Sequence, residues 1–231
     1  MVREGQYDLV IGNPPYQGTS KMADASYLSK HYSRGKADLY AAFLQRGLEL
    51  VKDGGFSALL TMRNWMFISQ YSAIREFLIE NYDLRLLGDI DRGGFEAIVD
   101  EVVSTVMSIF VKKNPSESFS IAMQPTPLND NSRDSQRTNR KRAAVLAQVG
   151  RYEFKTQNFN VIKEKPLIYW WDDAFLKLYS SYPVIGEESP ARATQGFYNN
   201  TRFFRKSYEV QSSDIRLDKN SKKKFFMGSF N

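Results

Sequence analysis

The chain has 231 residues, no cysteine and one histidine, with 32 basic against 26 acidic side chains and a hydrophobic share of 42%. This composition is typical of a soluble globular domain with an appendage, and it excludes a disordered or low-complexity chain. The lack of cysteine excludes a disulfide framework, a cysteine nucleophile and a cysteine-based zinc site. A serine–histidine–aspartate triad could depend only on His31, which lies in a polar stretch and is interpreted as a solvated residue.

The basic excess is confined to the second half of the chain. Residues 1–120 carry a net charge of −2, whereas residues 121–231 carry +8. This split favours a catalytic half joined to a half that meets a polyanion, although an ordinary basic surface would explain it equally well. The first 16 residues carry acidic residues and glycine where a secretory signal would need an unbroken apolar stretch, and no run of 18 apolar residues occurs, so we expect a cytoplasmic protein without a membrane partner.

Strands and helices alternate over the first 113 residues. The pattern predicts a buried strand at 7–12 closed by a proline turn, a mobile polar loop at 17–37, a helix from Asp38 that ends at Gly54 and Gly55, a strand at 56–62, a helix at 70–82 and strands at 84–90 and 102–113. This order is typical of a parallel sheet with helices on its faces. The last two strands have no helix between them, so we expect the final strand to be antiparallel.

The pattern changes after residue 113, where we place a domain boundary. Residues 1–113 are predicted to form one domain, 114–150 a polar basic linker or insertion, and 151–231 the start of a further region. A helix is expected around 172–182. The preceding tryptophans, Trp170 and Trp171, are expected to pack within the protein and not on DNA.

The most informative motif is Asn13-Pro14-Pro15-Tyr16, directly after the first strand. Two prolines fix the backbone and keep Asn13 out of helical geometry, so that its side chain and the Pro14 carbonyl form a rigid pair of acceptors. Such a pair suits the two N–H bonds of an aromatic amine and frees the nitrogen lone pair for attack on a methyl donor. Tyr16 would stack on the ring that carries the amine.

This motif resembles that of S-adenosylmethionine-dependent amino-methyltransferases, and residues 38–67 resemble the next two blocks of N6-adenine DNA methyltransferases. The order of the blocks is similar to that of gamma-type enzymes. Residues 7–111 and 192–210 resemble in particular the large adenine methyltransferase of BREX phage-exclusion systems. The resemblance implies the C-terminal half of a Rossmann-like methyltransferase sheet, followed by the start of a mixed α/β target-recognition region.

The resemblance also implies roles for individual residues. Asn13 and Pro14 would accept from the target amine, Pro15 would stiffen the turn, and Tyr16 would stack on an adenine flipped out of double-stranded DNA. Phe43 would lie against the adenine of S-adenosyl-L-methionine, although core packing explains it equally well, and Asn13 would also border that cofactor. Phe95 would be a second aromatic against the flipped base. Asp38 is interpreted as a helix cap, and Asp8 either orients the turn or is solvated.

Further candidates for DNA contact lie in the basic half. The residues Arg133, Arg137, Arg140, Lys141 and Arg142 either contact phosphates or form a solvated face. The second region of resemblance contains Thr194, Gly196, Asn200, Arg202, Phe203 and Arg205, and we expect Arg202 and Arg205 to contact DNA.

In gamma-type enzymes a glycine-rich loop that grips the methyl donor precedes the proline turn, and none precedes it here. We therefore expect a central fragment of a larger phage-defence or restriction-modification methyltransferase, which would bind the donor weakly alone. A complementing chain or other defence-system subunits are further expected partners. Two alternatives stay open: an inactive DNA- or partner-binding remnant, and a protein-glutamine or RNA methyltransferase with the same turn.

Overall fold

The computed structural model describes residues 2–95, 103–125 and 136–183, which contain six strands and five α-helices. The strands are β1 (Tyr7–Gly12), β2 (Val51–Met62), β3 (Asp83–Asp91), β4 (Thr105–Val111), β5 (Ser120–Met123) and β6 (Arg151–Phe154). The helices are α1 (Ala25–His31), α2 (Leu39–Leu50), α3 (Ser72–Asn81), α4 (Arg137–Leu146) and α5 (Asp173–Ser181). The predicted α/β class is confirmed.

The strands form one mixed sheet in the order β1-β2-β4-β3-β5-β6. Strand β2 is parallel to β1, and β4 lies between β2 and β3 and is antiparallel to both. The predicted antiparallel final strand of the first half is therefore confirmed. Because β2 and β3 both oppose β4, they run in the same direction as β1, and the carboxyl ends of these three strands meet at one end of the sheet.

Strand β1 is much more exposed than its apolar sequence predicts. Among the described strands it pairs only with β2, and its side chains of Leu9 and Ile11 are 50% and 74% exposed. The prediction of a buried strand was wrong because an apolar run indicates a tendency to form a strand and does not specify how many neighbours cover it. The proline turn is thus carried on the edge of the described sheet.

Helix α2 packs against β2 at a glycine. A Cβ atom at Gly47 would lie 2.5 Å from the Ser57 hydroxyl oxygen, so a larger residue would push the helix away from the strand. The buried face of α2 consists of Tyr40, Ala41, Ala42, Leu44, Gly47 and Leu48.

The end of α2 differs from the prediction. The helix ends at Leu50, and Gly54 and Gly55 lie inside β2 instead of terminating the helix. Gly54 has a φ of +77°, and the register with β1 shifts across this part of β2. The two glycines therefore permit an irregularity within β2, because glycine adopts a left-handed backbone conformation in a strand more easily than other residues do.

The segment 17–37 is partly helical, contrary to the predicted mobile loop. It contains α1 and two short 3₁₀ turns, Thr19–Lys21 and Ser33–Gly35. Leu28 is the one buried side chain of α1, so the helix has too narrow an apolar face for the sequence pattern to detect. The segment is fixed to the start of α2 by an isolated β-bridge between Gly18 and Asp38.

The sheet continues beyond residue 113. Strand β5 pairs in parallel with β3, and β6 pairs antiparallel with β5. The described residues up to Tyr182 form one compact unit, and α5 confirms the helix expected around 172–182. The division of the chain into domains at residues 113 and 150 stays a prediction. No helix in the described segments is long and apolar enough to cross a membrane.

A buried arginine connects α3 to the segment that follows β6. The Arg75 side chain is fully buried and donates to the carbonyl oxygens of Trp65, Ile68, Glu164 and Lys165, at distances from 2.6 to 3.1 Å. Burial lowers the pKa of this guanidinium, and the nearby Glu164 and Glu76 oppose that shift. The Arg75 guanidinium is therefore the common hydrogen-bond donor of four carbonyl groups, and an apolar residue at this position would leave them unpaired.

We expect Arg75→Met to lower the free energy of unfolding by about 3 kcal/mol, because it leaves these carbonyl groups without their donor. Urea unfolding followed by circular dichroism measures this loss. Arg3→Met is the matched control, since Arg3 is exposed, and it should change stability by less than about 0.5 kcal/mol. Equal effects of the two substitutions would contradict the connecting role of Arg75.

Candidate active site

The carboxyl ends of β1, β2 and β3 carry the residues that the sequence analysis singles out. Residues 13–16 follow β1, the 3₁₀ turn Arg63–Met66 follows β2, and residues 92–95 follow β3. Because loops at this end of an open α/β sheet form the usual ligand-binding crevice, the topology alone places the candidate site here.

The motif after β1 combines an anchored and an accessible part. Pro14 is buried, whereas Asn13 and Pro15 are exposed. The Tyr16 hydroxyl donates to the Leu60 carbonyl oxygen of β2 over a long 3.4 Å. The amide of Asn13 is therefore accessible to a ligand, while buried Pro14 and the Tyr16 hydrogen bond anchor the turn that carries it.

The ring of Tyr16 rests on a row of aromatic side chains. It meets Tyr40 edge to face at a centroid distance of 6.1 Å, and Tyr40 in turn lies 5.7 Å from Tyr71. Tyr40 is fully buried, so it provides a fixed support for a ring that is itself only partly buried. Burial raises the pKa of Tyr16 to about 12, and the phenol is neutral at physiological pH.

Contrary to the sequence prediction, Asp38 does not cap α2 with its side chain but binds Tyr71. It occupies the N-cap position of α2, but its carboxylate makes no capping hydrogen bond and instead accepts one from the Tyr71 hydroxyl. Burial is the main cause, and this bond the next, of a Tyr71 pKa raised to about 12. The prediction of a simple cap was wrong because the acceptor is used by a tyrosine 33 positions away.

Phe95 lies close to the motif, as its predicted role requires. Its ring centroid is 6.5 Å from that of Tyr16, with an angle of 58° between the ring planes. Phe95 comes from the end of β3 and Tyr16 from the end of β1, so the fold brings together two rings that are far apart in sequence. The contact agrees with the expected proximity, while the role of Phe95 toward a base stays a prediction.

Phe43 is an exposed aromatic on a helix whose other bulky apolar side chains are largely covered. It is 39% exposed, whereas its neighbours Leu44 and Leu48 are 2% and 0% exposed. The core explanation for Phe43 is therefore weaker than the sequence suggested. An exposed ring at this position is available for contact with a ligand.

A buried ionic cluster at the same end of the sheet was missed in the sequence. The Asp89 carboxylate is inaccessible and accepts from Arg63 Nη2 at 2.6 Å and from the Tyr169 hydroxyl at 2.7 Å. Burial raises the pKa of Asp89, and the charge of Arg63 opposes the shift. Arg63 also approaches Asp91 at 3.5 Å. No local pattern could identify the cluster, because Tyr169 is 80 positions from Asp89.

Other predicted residues lie elsewhere. Asp8 is exposed and pairs with Lys52 at 2.5 Å, so it does not orient the turn. His31 is exposed and lies against Tyr27. Trp171 packs against Phe175, as expected for a packing role.

The predicted basic cluster is divided by the structure. Arg137 and Lys141 of α4 are buried, so these two are neither a solvated face nor free to contact phosphates. Arg140 and Arg142 are exposed on the same helix. The remaining predicted contacts, Arg133, Thr194, Gly196, Asn200, Arg202, Phe203 and Arg205, lie outside the described residues. Among the residues that the structure does describe, no three metal-binding side chains converge on a common point.

Comparison with known proteins supports the predicted resemblance. Residues 2–95 match the family model of the Eco57I restriction-modification methylase. The chain is 30% identical over 198 residues to the adenine-specific methyltransferase BrxX of Escherichia coli O9:H4 (strain HS), a match of 84% of this chain and 15% of that protein. It is 33% identical over 216 residues to the adenine-specific methyltransferase PglX of Lacticaseibacillus casei (strain Zhang), which corresponds to 89% of this chain and 17% of that protein.

The fold is shared with a solved structure. A modification subunit assigned to a type I restriction enzyme from Vibrio vulnificus YJ016 matches 67% of this chain and 35% of its own, with a TM-score of 0.51 and 15% identity. The chain is similar in sequence to adenine-specific methyltransferases, and the resemblance predicted from the sequence is confirmed. It spans about one sixth of the length of BrxX and PglX.

The raised pKa values of Tyr16 and Tyr71 make the stability of the folded protein sensitive to alkaline pH. The folded-state pKa of Tyr16 and that of Tyr71 are both about 12, and an unfolded tyrosine ionises near pH 10, so between these values the folded state binds more protons. We therefore expect stability to fall as the pH rises from about 10 to about 12. Urea midpoints across this range measure the fall. Tyr16→Phe should make it shallower, and superimposable curves for wild type and variant would contradict the assignment.

Proposed function

We propose that the protein transfers a methyl group from S-adenosylmethionine to the N6 amino group of adenine in DNA. The observation that carries the proposal is the rigid turn at the end of β1, with Asn13 exposed and the Tyr16 ring held on a buried aromatic support. The similarity to adenine-specific methyltransferases adds to it.

The turn activates the amine by hydrogen bonding. An exocyclic amine is a weak nucleophile because its lone pair is delocalised into the ring. The Asn13 side-chain oxygen and the Pro14 carbonyl oxygen accept from its two N–H bonds, which favours a pyramidal nitrogen with a localised lone pair. A new N–CH₃ bond then forms as the sulfonium S–CH₃ bond breaks, and the amine loses one proton to solvent.

Tyr16 and Phe95 hold the flipped adenine. Two stacking layers of about 3.4 Å each require rings roughly 7 Å apart, and the observed centroid distance is 6.5 Å. The tilt of 58° between the rings must decrease when a base enters. Because Tyr16 leans on buried Tyr40, Phe95 on its loop is the ring that adjusts.

Phe43 and Asn13 are the residues that we propose on one side of a site for the methyl donor. Phe43 offers an exposed ring for an adenine face, and Asn13 provides a polar group at the end of the adjacent strand. When bound, S-adenosylmethionine supplies the electrophilic methyl group. This chain's own residues bind and orient one face of it.

The expected macromolecular partner is double-stranded DNA, and the similarity to the bacterial methyltransferases BrxX and PglX favours action in the cytoplasm. The net charge of +8 in residues 121–231 supports contact with a polyanion. Arg202 and Arg205 remain the proposed DNA contacts. The similarity to BrxX and PglX favours a role in phage defence or restriction-modification, together with other subunits of such a system.

We expect Asn13→Ala in the complete protein to lower kcat for adenine methylation by about 100-fold or more, because one of the two acceptors is lost. Transfer of tritiated methyl groups to duplex DNA measures this. Asn160→Ala, at an exposed residue remote in sequence, is the matched control and should keep wild-type kcat.

The same assay separates the alternative functions. Methylation of a release-factor glutamine or of ribosomal RNA in place of DNA would contradict the proposed substrate. A wild-type protein that methylates none of the three would favour a binding module without catalysis. Undiminished DNA methylation by Asn13→Ala would remove the proposed mechanism.

We expect Phe43→Ala to raise KM for S-adenosylmethionine by about tenfold and to leave kcat nearly unchanged, since a stacked ring contributes roughly 1–3 kcal/mol. Initial rates at varied donor concentration measure the split between KM and kcat. Phe56→Ala is a matched control, because Phe56 is a similarly exposed phenylalanine on β2. An unchanged KM in Phe43→Ala would assign Phe43 a different role.

A further inference from the structure

The turn that leads from β3 to Phe95 is held by polar side chains of α4. The Lys141 ammonium group donates to the carbonyl oxygens of Ile90 and Arg92. The Thr138 hydroxyl donates to the Gly93 carbonyl oxygen at 3.3 Å. Arg137 also lies against Gly93, so three side chains from the N-terminal half of α4 converge on residues 90–93.

Helix α4 packs in an unusual way, because its buried residues are basic. Arg137 and Lys141, spaced by one helical turn, are 9% and 4% exposed, whereas Leu146 of the same helix is 81% exposed. An apolar stripe would place leucine inward. Burial of an ammonium group is costly unless it is well bonded, so the hydrogen bonds to the turn account for the orientation of α4.

The backbone of the turn is shaped for this contact. Gly93 has a φ of +76°, and a Cβ atom there would lie 2.7 Å from Arg137 Cδ. A Cβ atom at Gly94 would lie 2.8 Å from the Thr105 hydroxyl oxygen of β4. The turn therefore fits between α4 and β4, and Phe95 follows it directly.

We propose that Lys141 and Thr138 are positioning residues, which fix the 90–94 turn so that the ring of Phe95 stays close to Tyr16, where a flipped adenine would be held. The inference rests on the proposed function for its catalytic consequence. Helix α4 would then help to form the base-binding site by holding the turn that carries Phe95. The residues act through Phe95 and touch neither substrate nor cofactor.

The test is a double-mutant cycle in the complete protein, with methylation of duplex DNA as the readout. We expect Lys141→Met to lower kcat by about tenfold, because displacement of a stacking group by about 1 Å costs on that order or more. In a Phe95→Ala background the same substitution should lower kcat by less than about twofold, since the ring on which it acts is absent. Independent, multiplicative effects would overturn the proposal.

A second variant guards against misfolding. Thr138→Val is nearly isosteric and removes only the hydrogen bond to Gly93, so it should fold and lower kcat by roughly threefold. Lys141→Arg keeps a cationic donor and should recover part of the loss. Lys177→Gln, an exposed lysine of α5, is the matched control and should keep wild-type kcat. Wild-type kcat in both Thr138→Val and Lys141→Met would overturn the proposal.

A readout without chemistry separates this inference from the proposed function. A fluorine label on the Phe95 ring reports its position by NMR, and its signal should move in Lys141→Met and Thr138→Val but not in Lys177→Gln. A wild-type protein that methylates no adenine would refute the proposed function, while the fluorine signal would still decide the positioning role. An unmoved signal in both α4 variants would overturn that role even in an active enzyme.

Discussion

The candidate site depends on two aromatic rings that reach the same place from the ends of different strands. Tyr16 follows β1 and Phe95 follows β3, and two other strands, β2 and β4, lie between β1 and β3 in the sheet. Their approach to 6.5 Å therefore requires that the turn after β1 and the turn after β3 both lean over the end of the sheet. The supports beneath each ring decide whether the pair can receive a base.

Those supports are of different kinds. Tyr16 rests on the buried ring of Tyr40, and such packing is stiff because a close-packed aromatic cluster leaves no volume for displacement. Phe95 depends on polar contacts of its turn: the carboxylate of Asp89 bound by Arg63 at the start, and Lys141 at the carbonyl groups that follow. Directional bonds fix a short loop without covering it, which leaves the ring that they position accessible.

The sequence predicted those parts of the site that depend on neighbouring residues. The proline turn, the strand before it and the location of Phe95 after β3 follow from residue order and turn chemistry. The hydrogen bonds Asp38–Tyr71, Asp89–Tyr169 and Lys141–Arg92 join residues 33, 80 and 49 positions apart, so no periodicity reveals them. A lysine in a polar run is interpreted as solvated unless its helix is known to pack against the carbonyl groups of a distant turn.

Burial was also the weakest inference for the fold, and β1 illustrates the reason. Alternation and apolar content predict a strand correctly, but the covering of that strand is a property of the whole sheet. Leu9 and Ile11 are half or more exposed because β1 has a single partner among the described strands. The proline turn consequently depends on the ladder to β2 and on the Tyr16 contacts for its position. Asn13, which follows β1 directly, is exposed as well.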